Sequence, residues 1–389
     1  MFNSKLFTTL MVLLIVLIAG SAMAGAKLTV NDDSYIDLGY RLQTYWQQFD
    51  DGDNTATDFR LRRARFRLKG AVNEKVTVFM QTDVATKDMK MIDAHVTYKA
   101  SPWFQFVMGR NMAPSSRQAT TGSGGLMAMD RPYQVGHALN WGANGGVSGG
   151  TIPVTPDAVR DNGLTLFGSN ALGDGNLKYY LGVYNGVQHG DAVDDKDHYA
   201  FRAQYNLWDA EKGYFNSSTY LGQKKTLGVG FSFDQQAEVG SSAAPVGGDP
   251  DVLVDYSLMS FDVFLELPSS NGNALTAEFA YNMLDFDDTV DFMTRQGNGY
   301  YFQAGYYLSS GFQPWFEYEA FTSDATEAAN GATSGDSTSY RIGATYYIDG
   351  QHANIKLGYE ARKWEMGGAV GDSDEDTLDT ITLGFFTNY

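Results

Sequence analysis

Apolar and polar residues alternate regularly along the chain. Every second residue from Tyr340 to Ile348 is apolar, and most of the residues between them are polar or small. The same period of two recurs at 227–233, 300–308 and 355–361. This period is typical of β-strands whose two faces meet different surroundings. It predicts an all-β protein, but it fits a soluble sandwich as well as a barrel.

The lengths of the connections between these segments predict a transmembrane antiparallel β-barrel. Connections after even-numbered strands are mostly short, such as 173–175, whereas those after odd-numbered strands are mostly long and polar. The connection 208–224 is the exception, because it is long where a short turn is expected. Short periplasmic turns and long extracellular loops are the plan of an outer-membrane barrel. The sixteen predicted strands are 34–48, 60–70, 75–84, 91–100, 103–110, 161–172, 176–186, 198–207, 225–235, 253–267, 274–286, 298–308, 312–322, 338–348, 353–363 and 376–389.

The physics of the bilayer supports this plan. A sheet in lipid must pair all of its backbone groups, so it has to close into a barrel. The chain has 24 Tyr and 24 Phe, which concentrate on the predicted strands as aromatic girdles require. Its last strand ends on Tyr389, and such an aromatic ending resembles the signal read by the outer-membrane assembly machinery. We therefore expect the outer membrane of a Gram-negative bacterium, with its lipid, its lipopolysaccharide and the barrel assembly machinery as partners.

Residues 1–24 have the pattern of a secretory signal peptide. Lys5 gives a positive start, 10–19 is an apolar run, and 22–24 is a small-x-small cleavage site. The apolar run is short for a bilayer span, so a short membrane anchor is the alternative interpretation. The remainder, 25–389, shows no linker and is predicted to be a single domain.

Composition excludes several functional classes. The 389 residues include 28 Lys and Arg against 46 Asp and Glu, and the resulting charge of −18 argues against a nucleic-acid-binding protein. The chain has no cysteine, which excludes disulfide scaffolds, thiolate metal sites and cysteine nucleophiles. No metal, cofactor or nucleotide motif is present, and the pair Asp93 and His95 lacks a positioned serine and an oxyanion hole. The sequence therefore predicts neither an enzyme nor a cofactor.

One predicted strand, 60–70, carries a row of cations on one face and apolar residues on the other. The cations are Arg63, Arg65, Arg67 and Lys69. A cation facing the middle of the bilayer costs about 2–4 kcal/mol, so the apolar face must meet lipid and the cations the lumen. Alternate residues lie about 7 Å apart and form a ladder suited to oxyanions. The alternatives are a wet, non-selective wall, arginines paired with acidic neighbours, and an amphipathic basic helix.

Five short segments carry a resemblance to a known family. They are FRLRRARFRLKG at 59–70, VTVFMQTD at 76–83, IDAHVTY at 92–98, FVMGRNMAP at 106–114 and DRP at 130–132. In these segments the chain resembles the phosphate-selective porin O/P family of Gram-negative bacteria. The resemblance implies a sixteen-stranded trimeric barrel that passes anions such as phosphate, with Arg63, Arg65 and Arg67 as its ladder and a long third loop folded inward as a constriction.

The third long loop in our count is 111–160. It contains Arg117, Arg131 and Arg160 but no lysine that could act as a central phosphate site, which is a departure from the chemistry expected of the family. We count Arg117 and Arg131 among the pore-lining residues.

Alternation assigns further inward charges elsewhere. The ladder is extended on neighbouring strands by Arg41, Lys99, Arg110, Arg341, Lys356 and Arg362. An acidic set lies nearly opposite, on the predicted strands 253–267, 274–286 and 312–322, and comprises Asp262, Glu266, Glu278, Glu317 and Glu319. We hypothesise a basic wall facing an acidic wall, with a transverse field across the pore. Acids lying beside arginines would contradict this hypothesis.

These features together predict an outer-membrane porin. We expect passive diffusion of small hydrophilic solutes with a bias toward anions such as phosphate or other oxyanions, through a homotrimer. The alternatives are a general or cation-preferring porin, and a non-transport barrel with a structural or adhesion role.

Overall fold

A computed structural model describes residues 26–31, 33–85, 89–132, 160–186, 196–241, 253–286, 296–324, 336–365 and 375–389. The predicted signal peptide, and 133–159 of the predicted third loop, lie outside the described residues. The strands are β1 (Ala26–Thr29), β2 (Tyr35–Asp50), β3 (Thr55–Ala71), β4 (Val76–Asp83), β5 (Lys90–Lys99), β6 (Gln105–Met112), β7 (Arg160–Leu172), β8 (Gly175–Tyr184), β9 (His198–Trp208), β10 (Thr226–Ser241), β11 (Leu253–Pro268), β12 (Ala274–Asp285), β13 (Gly297–Tyr307), β14 (Phe312–Ser323), β15 (Ser337–Asp349), β16 (Ala353–Glu365) and β17 (Glu375–Asn388).

The strands β2 to β17 form a closed antiparallel barrel. Each pairs with its neighbours in sequence, and β17 pairs with β2, for example at Leu383 and Trp46. The short strand β1 is additional and pairs only with the start of β2. The predicted sixteen-stranded barrel is confirmed, and β1 is an element that the alternation did not predict.

The polarity of the two faces of the barrel wall is the reverse of that in a soluble sandwich, whose interior is apolar and whose surface is polar. Outward side chains are apolar and exposed, such as Phe66 at 62% and Ile342 at 56%, whereas inward ones such as Gln303 and Thr345 are polar and buried. Lipid outside and water inside account for this polarity. Among the described residues, no helix is long and apolar enough to cross a membrane.

Strand β3 contains one irregularity that matters for its charges. Its pairing with β2 shifts at Arg62, since Gln43 lies opposite Arg63 but Thr44 lies opposite Leu61. A bulge of this kind inserts an extra residue and reverses which residues face inward beyond it. Arg60 and Arg62 therefore join the lumen, although strict alternation from Arg63 would place Arg62 outward.

Two connecting segments fill part of the barrel interior. The first is 113–132, here called the inward loop, and every residue from 111 to 121 is buried. The second is 209–225, the inward turn, which corresponds to the exceptional connection 208–224 of the sequence. The two segments pair with each other, because the amide of Gly122 donates to the Asn216 carbonyl at 3.0 Å and the amide of Asn216 donates to the Thr120 carbonyl at 2.7 Å.

The inward loop is also held by an apolar cluster against the wall. Met127 and Met129 pack with Tyr45, Trp315 and Phe386. Gly305 on β13 permits this contact, since an added Cβ there would lie 2.5 Å from the Met127 sulfur. The loop is thus fixed by packing as well as by hydrogen bonds.

Candidate functional site

Two connected cavities run beside the inward loop. The ladder cavity, of about 460 Å³, lies along β2 to β5, and the loop-end cavity, of about 640 Å³, lies along β2, β3 and β14 to β17. Both are lined by Arg62 and Ala85, so the two meet there. They define a candidate pathway along one side of the barrel.

The ladder cavity is strongly basic. Eight cationic and two acidic side chains line it: Arg41, Arg62, Arg63, Arg65, Arg67, Lys90, Arg131 and Arg160 against Asp83 and Asp93. The acids offset part of this charge, because Arg65 contacts Asp83 at 2.7 Å and Arg160 contacts Asp93 at 2.8 Å. Three of the four predicted cations of β3 thus lie on this cavity.

The guanidinium groups of the ladder are held in place by neutral acceptors as well. Arg63 donates to the Gln43 side chain at 2.7 Å, and Arg67 donates to the Tyr40 carbonyl at 3.2 Å. The Nε atom of Arg67 is buried and has no hydrogen-bond partner among the described atoms. Fixed guanidinium groups with remaining donor capacity suit the transient binding of anions.

The inward loop touches the ladder at two points. At Ser123, the hydroxyl accepts hydrogen bonds from Arg41 and, at 3.3 Å, from Arg65. At Asp130, the carboxylate accepts from Arg62 and, at 2.8 Å, from Arg63. Burial opposes ionisation of Asp130, but the two arginines hold its pKa well below the usual range. Asp130 therefore lies as an anion where the two cavities meet.

Arg131 follows Asp130 and serves mainly to shape the loop. It donates to the carbonyl of Gln118 at 3.3 Å and to that of Thr121 at 2.5 Å. Burial and the nearby Arg63 lower its pKa to about 9. It also lines the ladder cavity, so it contributes positive charge there at neutral pH.

Arg117 does not line either cavity, which corrects its predicted place in the pore. It is fully buried and donates two hydrogen bonds to Glu211 at 2.8 and 2.9 Å, while its Nε lies 3.4 Å from Glu278. Its guanidinium stacks 3.9 Å from the ring centre of Phe264. Burial opposes ionisation of Glu211, but Arg117 outweighs this and lowers the pKa of Glu211 to about 2. The pair joins the inward loop to the inward turn.

Three other predicted pore-lining cations lie outside both cavities. Lys69 and Lys99 are exposed near the short-turn ends of their strands, and Arg110 lies opposite Ala94 and Asn162 in the sheet. Lys99 lines a separate cavity near the short turns. Lys69 and Lys99 need correction because alternation does not predict the height of a residue along the barrel. Arg110 lies two residues after the exposed Met108 and opposite the exposed Asn162, so its predicted inward position is wrong.

The remaining predicted cations lie around the inward loop. Arg341 and Arg362 line the loop-end cavity. Lys356 is buried and donates to the carbonyls of Leu126 at 2.6 Å and Ala128 at 2.8 Å. It anchors the loop to β16 and does not line either cavity.

The predicted acidic wall is inward-facing but is not an open wall. All five acids are buried. Asp262 pairs with Arg202, Glu278 with Arg117, and Glu317 and Glu319 with Arg341. Glu266 accepts the amides of Tyr220 at 2.7 Å and Gly222 at 2.6 Å. The hypothesis of an open transverse field is therefore wrong, since buried carboxylates require partners and these acids lie beside arginines.

Sequence reasoning missed several residues of the site. Arg60 and Arg62 were hidden by the bulge, and Asp130 lies in a connection between strands, where alternation gives no signal. The described residues contain no group of three or more His, Asp or Glu side chains arranged to hold a metal ion.

The geometry defines a class of protein. A closed sixteen-stranded barrel, apolar outside and polar inside, with a loop folded into its lumen, has the fold of an outer-membrane porin. The model of the family phosphate-selective porin O and P matches residues 36–211, which confirms the resemblance over that part of the chain.

Comparison with solved structures of individual proteins gives the same fold. An anion-selective porin from Comamonas acidovorans has a TM-score of 0.58, at 11% identity, over 92% of this chain and 100% of that one. The trimer form of OmpT from Vibrio cholerae has a TM-score of 0.57, at 14% identity, over 92% and 100%. An uncharacterized protein of Aquifex aeolicus (strain VF5) is 23% identical over 328 residues, 77% of this chain and 70% of that protein.

Proposed function

We propose that this protein is an outer-membrane porin through which small hydrophilic solutes diffuse passively, with a bias toward anions such as phosphate or other oxyanions. The observation that supports the proposal most directly is the ladder cavity, where eight cationic side chains meet two acidic ones. The anion-selective porin of Comamonas acidovorans shares the fold.

The mechanism follows from the spacing and pairing of the arginines. An anion passing Arg67, Arg65 and Arg63 in turn replaces its hydration water by guanidinium donors in steps about 7 Å apart. Asp83 and Asp130 compete for the same donors, so the anion is held weakly enough to leave. Transport needs no bound cofactor, because the solute moves down its own gradient.

A general or cation-preferring porin is the second candidate. It is supported by the loop-end cavity, where Glu360 and Asp130 accompany four arginines. The net charge of the chain, −18, is a second support. A non-transport barrel with a structural or adhesion role is the third candidate.

The cellular setting is part of the proposal. We place the chain in the Gram-negative outer membrane, exported by the signal peptide at 1–24 and inserted by the barrel assembly machinery among lipid and lipopolysaccharide. A homotrimer is supported by the trimer form of OmpT and by the short strands β4 and β6, which have 8 residues each against 16 in β10 and β11. The barrel wall is low at these short strands, and a second copy of the chain packed beside them would shield that part of the wall from lipid.

The zero-current potential across a planar bilayer under a KCl gradient tests the proposal. We expect the sign of an anion-preferring channel. The triple variant R63A/R65A/R67A should lower the anion-to-cation permeability ratio at least fivefold, since each charge contributes about 1 kcal/mol at 4 Å in a water-like dielectric. The matched control removes three cations outside both cavities, Lys27, Lys75 and Lys225, and should leave the ratio unchanged. Cation preference in the unsubstituted protein would overturn the anion bias. A complete absence of conductance would favour the non-transport barrel with a structural or adhesion role.

A further inference from the structure

The inward turn is longer than its connection requires. Strands β9 and β10 are already in register at Trp208 and Thr226, and the amide of Asp209 donates to the Lys225 carbonyl at 2.9 Å. The neighbouring turn on the same side of the barrel, between β7 and β8, needs only 173–174. Residues 210–224 are thus not needed to join the two strands.

These additional residues are built into the interior. Glu211, Asn216 and Thr219 are buried, and the Asn216 amide oxygen accepts from Lys178 at 2.8 Å. Glu211 also accepts from the Tyr220 hydroxyl at 2.6 Å. A solvated surface loop would not bury and pair its charged groups in this way.

The inward turn and the inward loop behave as one layer. Their backbones pair at Gly122, Asn216 and Thr120, and the amide of Ser218 donates to the Gly125 carbonyl at 3.0 Å. The fully buried pair of Arg117 and Glu211 joins the two segments a second time.

This layer separates the two sides of the lumen. Together, the two cavities are lined by β2 to β5 and β14 to β17, by the first residue of β7 and the last of β6, and by parts of the two segments. Within the described part of the chain, no residue of β8 to β13 reaches either cavity. The wall from β8 to β13 is instead buried behind the layer.

We infer that the inward turn and the inward loop form a fixed partition that covers the acidic side of the lumen, so that the turn at 209–225 is a second determinant of pore size and ion selectivity. The inference rests on the proposed function. Behind the partition lie Glu266, Glu278 and Asp262, and the amides of Tyr220 and Gly222 supply donors to Glu266. Removing the turn would widen the lumen and would remove the amides of Tyr220 and Gly222, which leaves the Glu266 carboxylate facing the lumen without these donors and favours cations.

Shortening the turn tests the partition directly. Residues 210–224 are replaced by Asn-Gly, a dipeptide that favours a tight hairpin and leaves the register of β9 and β10 intact. In planar bilayers we expect a larger single-channel conductance and a zero-current potential shifted toward cation preference. A shortened barrel that inserts with unchanged conductance and unchanged potential would overturn the inference.

A second test uses the full-length chain and does not depend on the folding of the shortened one. Because the chain has no cysteine, single cysteines can be probed with a water-soluble, positively charged methanethiosulfonate reagent. Thr276 on β12 is covered by Thr219 of the turn at 3.2 Å, whereas Ala85 lines both cavities. We expect Thr276→Cys to react far more slowly than Ala85→Cys in the folded trimer.

The two tests separate this inference from the proposed function. Equal reaction rates at the two cysteines would overturn the partition even in a conducting, anion-preferring channel. Slow reaction at Thr276→Cys in a barrel that carries no current would contradict the proposed porin function but would still support the partition.

Discussion

The carboxylate of Asp130 occupies donors of Arg62 and Arg63 at the place where the two cavities meet. Asp130→Asn keeps the size of the side chain but removes its charge, so the two guanidinium groups become more available to passing anions. We expect the anion-to-cation permeability ratio to rise about fivefold, the equivalent of about 1 kcal/mol for one charge at contact distance. Zero-current potentials measure this ratio, and Asp53→Asn in an exposed loop is the control. A ratio that stays constant or falls would show that Asp130 does not compete with the solute.

Glu211 gives the partition a defined dependence on pH. Its pKa is about 2 in the folded chain against an ordinary 4.5, so its ion pair with Arg117 contributes fully above about pH 4.5 and is lost as the pH falls toward 2. We expect single-channel conductance to be constant from pH 7 to 5 and to rise only below about pH 3. Glu211→Gln should already show the higher conductance at pH 7. An equal conductance of variant and parent at pH 7 would remove this pair from the control of pore size.

At the residue scale, the sequence predicted charge placement only in part. Arg41, Arg63, Arg65 and Arg67 line the ladder cavity, as expected for inward positions on β2 and β3. The position of Arg117 could not be predicted from the sequence, because its partner Glu211 lies almost a hundred residues away and its position depends on how two loops pack. Period-two alternation reports a face and carries no information on such long-range pairing.

Among the elements of the fold, the anchoring of the inward loop depends on β16. The ammonium group of Lys356 donates to the carbonyls of Leu126 and Ala128, and hydrogen bonds to charged groups contribute about 1.5–3 kcal/mol each. Lys356→Met keeps the length and the apolar packing but removes both donors. We expect a larger mean conductance and more frequent current fluctuations, recorded in single-channel traces. Lys225→Met, outside both cavities, serves as control, and traces identical to the parent's would show that packing alone holds the loop.

The strands themselves were predictable because their environment imposes the pattern. Lipid on one side and water on the other force a period of two over most of each strand. The predicted bounds lie within a few residues of those of β2 to β17, except at the start of β3 and the end of β10. The strand β1 was missed because its four residues are too few to show alternation. The bulge at Arg62 was missed because it interrupts the pattern by which strands are recognised.

For the molecule as a whole, the placement of charge matters more than its sum. The formal charge is −18, yet exposed acids such as Asp51, Asp53 and Asp197 lie in connections between strands, while the ladder cavity is basic. The five acids of the predicted acidic wall are paired with arginines or with backbone amides. Total charge therefore argues against nucleic acid as a partner but does not predict the sign of the permeating ion.

Ionic strength separates the two sets of charges. The Debye length falls from about 10 Å at 0.1 M salt to about 3 Å at 1 M, so exposed acids lose their influence on the pore while arginines in direct contact with the solute keep most of theirs. We expect the anion preference at 1 M KCl to be at least as strong as at 0.1 M. The variant R63A/R65A/R67A should instead lose any residual selectivity as salt rises. An anion preference of the parent that is present at 0.1 M and vanishes at 1 M would mean that selectivity arises from the distant field and not from the ladder.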